Sequence, residues 1–400
     1  MSRRAFPFIR LTPEAWLRLL DFASLVAFLV LLAGMVWAAF SIYGVDFRGY
    51  YAATKVLLNG GNPYDYHQVA PVLLEISGWA GNNPYYYPPW FAMALTPLAL
   101  LPIQGARVIW LIINALLLWA GMHLSLATLE WGMRGWRRWL TFISLAYLLG
   151  WVCLRFEQTG ILLFFLLSLA LWALRRKDYI LAGIALALLL TKPPVTLLVF
   201  GILLLANWQR SNRKVVICTL GSLAILLAIS TLVLPGWFLE PLKPEFGLGL
   251  AHELDGPGMI VARRINSTFL DWSAALGLKG NPAKVACASL AVFCLLLIWR
   301  AFRRGDEMNY LASLSSALGL LVTPYALQYD YPLLAFALLW IYKALAKTPG
   351  WRRLLSITVL GAIFSLLIWE RSMSDAYWIP MGVGLLLILL ENEDGKPLHR

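Results

Sequence analysis

Charge is what this chain has least of. Only 14% of its 400 residues are Asp, Glu, Lys or Arg, against 60% hydrophobic ones, and its mean hydropathy is +0.71. That balance excludes a soluble domain with a solvated charged surface and points to a polytopic membrane protein. Cysteine is scarce as well. The four present, Cys153, Cys218, Cys287 and Cys294, lie in or at the ends of apolar segments, with no C-x-x-C and no ligand-like spacing to histidine, so they read as small buried side chains. There is no Walker loop, no dinucleotide-binding glycine fingerprint and no H-E-x-x-H, which leaves nucleotide and zincin chemistry without support. No acidic cluster calls for Mg²⁺ or Mn²⁺, so neither a metal nor a cofactor is expected.

A net charge of +12 raises the question of nucleic acid. The basic residues come in short clusters between hydrophobic segments rather than along one polar face, which is the pattern of membrane orientation and excludes nucleic acid as a partner. Placing Arg3, Arg4, Arg10 and Arg18 in the cytoplasm together with the later basic clusters gives twelve crossings. They fall near 20–43, 106–128, 139–153, 160–174, 179–191, 195–207, 214–234, 283–299, 308–323, 331–346, 353–369 and 377–390. Both termini are then inside. The first apolar run is too long for a signal peptide and lacks a small-residue cleavage site, so it is read as a retained span. The whole chain, 1–400, is expected to be one all-α transmembrane domain in the plasma membrane, with large external segments at 44–105 and 235–282.

Two places strain this scheme. Each half of "YILAGIALALLLTKPPVTLLVFGILLLANWQ", residues 179–209, is too short to span ~30 Å of hydrocarbon at 1.5 Å per residue. The chain must turn at Lys192-Pro193-Pro194 beneath the outer surface, where irregular backbone survives only in a protein-enclosed or water-filled cavity. The second is 85–102, apolar but interrupted by Pro97 and Pro102, which is read as an external or re-entrant helix pair.

The ionisable residues at these places are the candidates for chemistry. Asp46 follows the first span, with Arg48 two residues on; the alternative for Asp46 is an interfacial cap on a short helix. Lys192 needs an anionic partner at its buried turn, either a substrate phosphate or Glu157. Arg263-Arg264 is the only adjacent basic pair on the external side of this topology, and guanidinium suits bidentate phosphate recognition; the alternative is a solvated pair balanced by Glu253 and Asp255. Gln158 and Gln328 suit sugar hydroxyls. Tyr85 to Tyr87, Trp90 and Trp272 suit sugar faces or the interfacial aromatic belt.

The stretch Asp46, Tyr50-Tyr51-Ala52, Asn59-Gly60-Gly61-Asn62-Pro63-Tyr64 and Tyr86-Tyr87-Pro88-Pro89 resembles glycosyltransferase family 87 of the GT-C superfamily. Phe156-Glu157-Gln158-Thr159-Gly160, Leu190-Thr191-Lys192-Pro193-Pro194, Arg264-Ile265-Asn266-Ser267-Thr268 and Thr323 to Tyr331 follow in the family's order. Two departures stand out: Glu157-Gln158 occupies the family's Gly-Gln, and Ala326 to Tyr329 lacks its Trp and His. The resemblance implies a GT-C fold and a polyprenyl-phosphate sugar donor, typically mannose, used outside the cytoplasmic membrane. It also implies a lipid or glycan acceptor, inversion at the anomeric carbon, and no metal.

A glycosyl phosphate already carries its leaving group, so one base and a set of cations suffice. Asp46 is assigned as general base, and Arg264, Arg263 and Lys192 as phosphate ligands. Arg48, Tyr51, Tyr87, Trp90, Gln158, Asn266, Gln328 and Tyr329 are assigned to sugar or acceptor. A pair of carboxylates with Glu253, Asp255 or Asp271 remains open. The rival from another class is a secondary transporter or lipid-linked-sugar flippase, which shares broken helices and buried charge; it predicts inverted repeats, and none is evident.

Overall fold

A computed structural model describes residues 12–41, 45–78, 85–132, 135–242, 281–323, 326–345, 348, 350–369 and 378–391. Among them every regular element is helical. The chain runs α1 (Pro13–Ser41), α2 (Val45–Leu58), α3 (Tyr66–Ser77), α4 (Pro89–Ala99), α5 (Ile103–Thr128), α6 (Trp136–Leu145), α7 (Trp151–Phe156), α8 (Gly160–Arg175), α9 (Tyr179–Leu189), α10 (Pro193–Gln209) and α11 (Arg213–Val233). It continues through α12 (Asn281–Arg304), α13 (Met308–Val322), α14 (Ala335–Leu345), α15 (Gly350–Trp369) and α16 (Trp378–Leu390). A π turn, Ala146–Gly150, joins α6 to α7, and short 3₁₀ helices lie at Trp237–Leu242 and Gln328–Leu334.

Among the described residues five helices are long and apolar enough to cross a bilayer: Glu14–Trp37, Ile103–Thr128, Arg137–Phe156, Arg213–Val233 and Asn281–Arg304. Shorter apolar helices at 160–175, 179–189, 193–209, 308–322 and 378–390 accompany them. The protein is an all-α polytopic membrane protein. At 1.5 Å per residue the 16 residues of α8 reach only about 24 Å. Such a helix keeps its backbone satisfied internally and its side chains covered by its neighbours.

The short helices form the inside. α8 lies between α5 and α9, α9 packs on α11, and α13 lies against α10 and α16. Small residues permit the closest of these approaches, as helix packing in lipid favours. A Cβ on Gly183 of α9 would stand 2.6 Å from the Cys218 side chain and 2.8 Å from its backbone on α11. Ser125 of α5 and Ser168 of α8 join their hydroxyls at 2.9 Å. The outward faces of α1 and α11, with Phe22, Val30, Trp37, Ile217, Ile225 and Leu232 exposed, are those expected of helices facing lipid.

Residues 85–102 do not form a helix pair. Pro97 lies inside one helix, α4, which ends at Ala99 just before α5 begins at Ile103. Trp90, Phe91, Leu95 and Leu98 of α4 are all buried, and α4 packs against α2 and α5, so tertiary packing carries the helix past its proline. The turn expected at 192–194 is present: α9 ends at Leu189 and α10 restarts at Pro193. The Thr196 hydroxyl donates to Leu189 O at 2.6 Å and to Lys192 O at 3.0 Å, and the Thr323 hydroxyl donates to Pro194 O at 2.6 Å. The Thr196 hydroxyl thus satisfies a carbonyl at the end of α9 that the break leaves without its helical partner, and the two further bonds pin the start of α10.

Candidate active site

α2 places its apolar face, Phe47, Tyr50, Tyr51 and Thr54, inside the protein, with Phe47 stacked on Trp110 of α5 at 5.7 Å. Asp46 occupies the first turn of α2, where the helix dipole favours an anion. Its carboxylate accepts a hydrogen bond from Gln158 Nε2 at 2.8 Å, on Oδ2.

The direction of the Gln158 amide is fixed from its other end. Tyr50 donates its hydroxyl to Gln158 Oε1 at 2.6 Å and Tyr87 donates to the same oxygen at 3.0 Å, the two hydroxyls standing 2.8 Å apart. With the oxygen held by phenols, the NH₂ group faces Asp46. Burial raises the Tyr87 phenol above its ordinary value, the Lys192 charge opposing, which keeps it protonated as a donor. Gln158 thus orients the carboxylate.

Burial pushes the Asp46 carboxyl up to about 6; the Gln158 hydrogen bond and the charge of Lys192 pull it down, and Glu157 and Asp330 push it up. A carboxylate so poised is ionised at neutral pH and still basic enough to take a proton.

Lys192 is 6% exposed. Its Nζ donates to Asp330 Oδ1 at 2.7 Å and stands 4.6 Å from the centroid of the Tyr329 ring. Asp330 is fully buried, and its second oxygen accepts from Leu327 N at 3.1 Å. The expectation that Glu157 is the protein partner of Lys192 is therefore corrected. Glu157 pairs instead with Arg107 of α5, Nη2 to Oε1 at 2.6 Å, and both side chains are buried. Distance along the chain concealed both pairings, since Asp330 lies on the 3₁₀ segment that packs against α7 and α8.

That packing is close. A Cβ on Gly160, the first residue of α8, would collide with the carbonyl of Tyr329. Glycine there lets the 3₁₀ segment approach the α7–α8 turn and brings Asp330 toward Gln158 and Lys192.

The remaining candidates are distributed around this centre. The Tyr51 hydroxyl donates to Leu101 O at 2.7 Å, which ties α2 to the α4–α5 junction. Trp90 Nε1 donates to Thr191 Oγ1 at 3.3 Å, and its ring meets Trp237 edge-on. Arg48 is half-buried, and its charge acts on Glu157. Gln328 and Tyr329 are buried beside Asp330. Asp46, Lys192, Tyr87, Gln158 and Tyr329 thus meet in one region. Arg263, Arg264 and Asn266, together with Glu253, Asp255, Asp271 and Trp272, lie outside the described residues.

Sequence reasoning missed Arg107, Asp330 and the orienting role of Tyr50. For the first two a signal existed: each is a charge inside an otherwise apolar run, which in a membrane protein marks function or a buried partner.

The sequence model of glycosyltransferase family 87 matches residues 85–324, a span holding Tyr87, Arg107, Glu157, Gln158 and Lys192, with Asp46 and Asp330 to either side. No curated protein matches the chain. The family match covers more than half of the 400 residues and joins a helical membrane architecture to an oriented, half-buried carboxylate: the chain belongs to glycosyltransferase family 87.

Proposed function

We propose that the protein transfers a sugar, mannose in the first instance, from a polyprenyl-phosphate donor to a lipid or glycan acceptor on the outer side of the plasma membrane. Asp46 takes the proton of the attacking acceptor hydroxyl, whose oxygen bonds to the anomeric carbon as the bond to phosphate breaks. Lys192 and the Arg263-Arg264 pair receive the negative charge of the departing polyprenyl phosphate. One base and no acid are required, because the phosphate leaves as a stable anion, and displacement from the opposite face inverts the anomeric centre.

The observation that carries this reading is the Gln158-oriented Asp46 carboxylate, raised to about 6 and within the electrostatic reach of Lys192, in a chain of this family. A base near a buried cation is the minimum that transfer from a glycosyl phosphate needs. A donor dissolved in the bilayer also accounts for a centre built on helices of a membrane domain without a nucleotide-binding motif.

The test is transfer of labelled mannose from a short-chain polyprenyl-phosphate donor into the lipid and glycan fractions of membranes by purified protein. Wild type should transfer, and Asp46→Asn should lose the activity while remaining folded. A folded Asp46→Asn protein that transfers at the normal rate removes Asp46 from the mechanism. Transfer from other polyprenyl-phosphate sugars but not from mannose replaces the sugar and keeps the mechanism.

A further inference from the structure

Glu157 and Arg107 take no part in the chemistry above, yet Glu157 adjoins Gln158 in the chain and Arg107 is paired with it. α7 ends in a Schellman turn, with Gln158 N donating to Cys153 O at 2.9 Å and Glu157 N to Leu154 O at 3.1 Å. The apex of such a turn takes left-handed backbone, which glycine adopts most readily because it has no Cβ. Here the apex is Glu157, at φ 57° and ψ 38°. A glutamate is an unfavourable residue for that conformation and needs support from outside the turn.

α5 supplies it, through two residues one helical turn apart. Arg107 Nε lies 2.9 Å and 3.1 Å from the two carboxylate oxygens of Glu157, and Nη2 adds its shorter bond to Oε1. Trp110 Nε1 donates to the Glu157 backbone carbonyl at 2.8 Å. Side chain and main chain of one residue are thus clamped from the same helix face. The residue that follows is Gln158, whose amide orients Asp46. Glu157 is 1% exposed with both oxygens engaged by guanidinium, which unsuits it to accept a substrate proton.

We propose that Arg107 and Glu157 are positioning residues, a buried ion pair that fixes the left-handed turn at residue 157 and so aims Gln158 at Asp46. This rests on the reading of Asp46 as the base. The fixed pair substitutes for the glycine that would relax the same turn, and its bidentate geometry gives the turn one orientation where a glycine alone would allow several.

Two variants test it. Arg107→Met leaves a buried carboxylate at a strained apex and should lower kcat roughly tenfold or more, since an ångström of misplacement costs up to about a hundredfold, while the donor KM stays unchanged. The double variant Arg107→Met/Glu157→Gly removes both charges of the pair and places a glycine at the apex, and should recover most of that loss. A single variant with wild-type kcat overturns the proposal, and so does a double variant as impaired as the single one, since Glu157 would then contribute chemistry of its own.

A second readout needs no sugar. The infrared carboxylate band of Asp46, assigned by its loss in Asp46→Asn, reports the Gln158 hydrogen bond, with Gln158→Ala marking the unbonded position. Arg107→Met should move the band toward that position and the double variant should return it; a band unmoved in Arg107→Met sinks the proposal. Should Asp46→Asn transfer normally, the base assignment fails while the band still reports how Gln158 is aimed.

Discussion

Gln158 Nε2 donates to Asp46 Oδ2 at 2.8 Å, while the far end of the same amide accepts from Tyr50 and Tyr87. This relationship joins α2 to the turn before α8 across 112 residues of chain. It makes the proposed base a composite: a carboxylate from one helix, an amide that orients it and two phenols that orient the amide. Each layer can be tested separately.

The titration of Asp46 predicts the pH dependence. With its carboxyl raised to about 6, the base form dominates above that value, so kcat should climb as pH rises through about 6 and level off near neutrality. The folded state binds the Asp46 proton more tightly than the unfolded chain does, so the stabilisation from the neutral acid is present below about 4 and is lost as pH rises through 6. Asp46→Asn should therefore raise thermal stability at pH 7, by roughly 1–3 kcal/mol on a scale of 1.36 kcal/mol per pKa unit, while abolishing transfer. A melting temperature at pH 7 equal to or below that of wild type would contradict the buried, desolvated carboxylate.

The phenol layer predicts non-additive losses. Tyr50→Phe or Tyr87→Phe alone leaves one hydroxyl on Gln158 Oε1, and kcat should fall by only a few fold, consistent with about 1 kcal/mol for one hydrogen bond. The double variant removes both and frees the amide to turn its oxygen toward Asp46, so its loss should exceed the product of the single losses. Strict additivity in a double-mutant cycle would separate the phenols from the orientation of the amide.

How much of this was legible in the sequence follows from which interactions are local. The membrane class, the helical spans and the buried turn at Lys192 follow from runs of hydropathy and from Pro193-Pro194, features written within about twenty residues. Asp46 and Gln158 were nominated separately, and nothing in the chain said that one orients the other. Of the two partners the sequence offers Lys192, a substrate phosphate or Glu157, neither is the carboxylate it meets, because an ion pair 138 residues apart is decided by how the 3₁₀ segment packs on α8. Pro97 suggested a broken helix pair where burial of Trp90, Phe91 and Leu95 holds a single helix. The pattern of residue types carries local structure, while the charge pairing was settled by tertiary contacts.

The Lys192–Asp330 pair separates stability from chemistry. Asp330→Ala leaves a buried ammonium without its carboxylate and should destabilise the protein by about 3–5 kcal/mol. Replacing both partners with apolar residues, Lys192→Met/Asp330→Leu, should restore most of that stability, because neither charge of the pair is left buried without its partner. Transfer activity should be lost, and affinity for a polyprenyl-phosphate donor should fall, if Lys192 is the cation proposed to receive the phosphate. A stable double variant with wild-type donor affinity would make the pair structural only.

Gly160 gives the most local test of how the fold assembles the centre. Its Cα faces the carbonyl of Tyr329, with no room for a methyl group. Gly160→Ala must push the Gln328–Leu334 segment away from the start of α8, and because both partners at the contact are backbone, no side-chain rotation relieves the overlap. Overpacking of this kind costs roughly 1–3 kcal/mol and displaces backbone. Asp330 and Tyr329 ride on the displaced segment, so the variant should lose donor affinity together with kcat, unlike Gln158→Ala, which should lose kcat alone. Measuring donor binding and turnover side by side in the two variants distinguishes a displaced cation site from a misaimed base. Equal donor affinity in Gly160→Ala and wild type would show that the phosphate site does not depend on this contact.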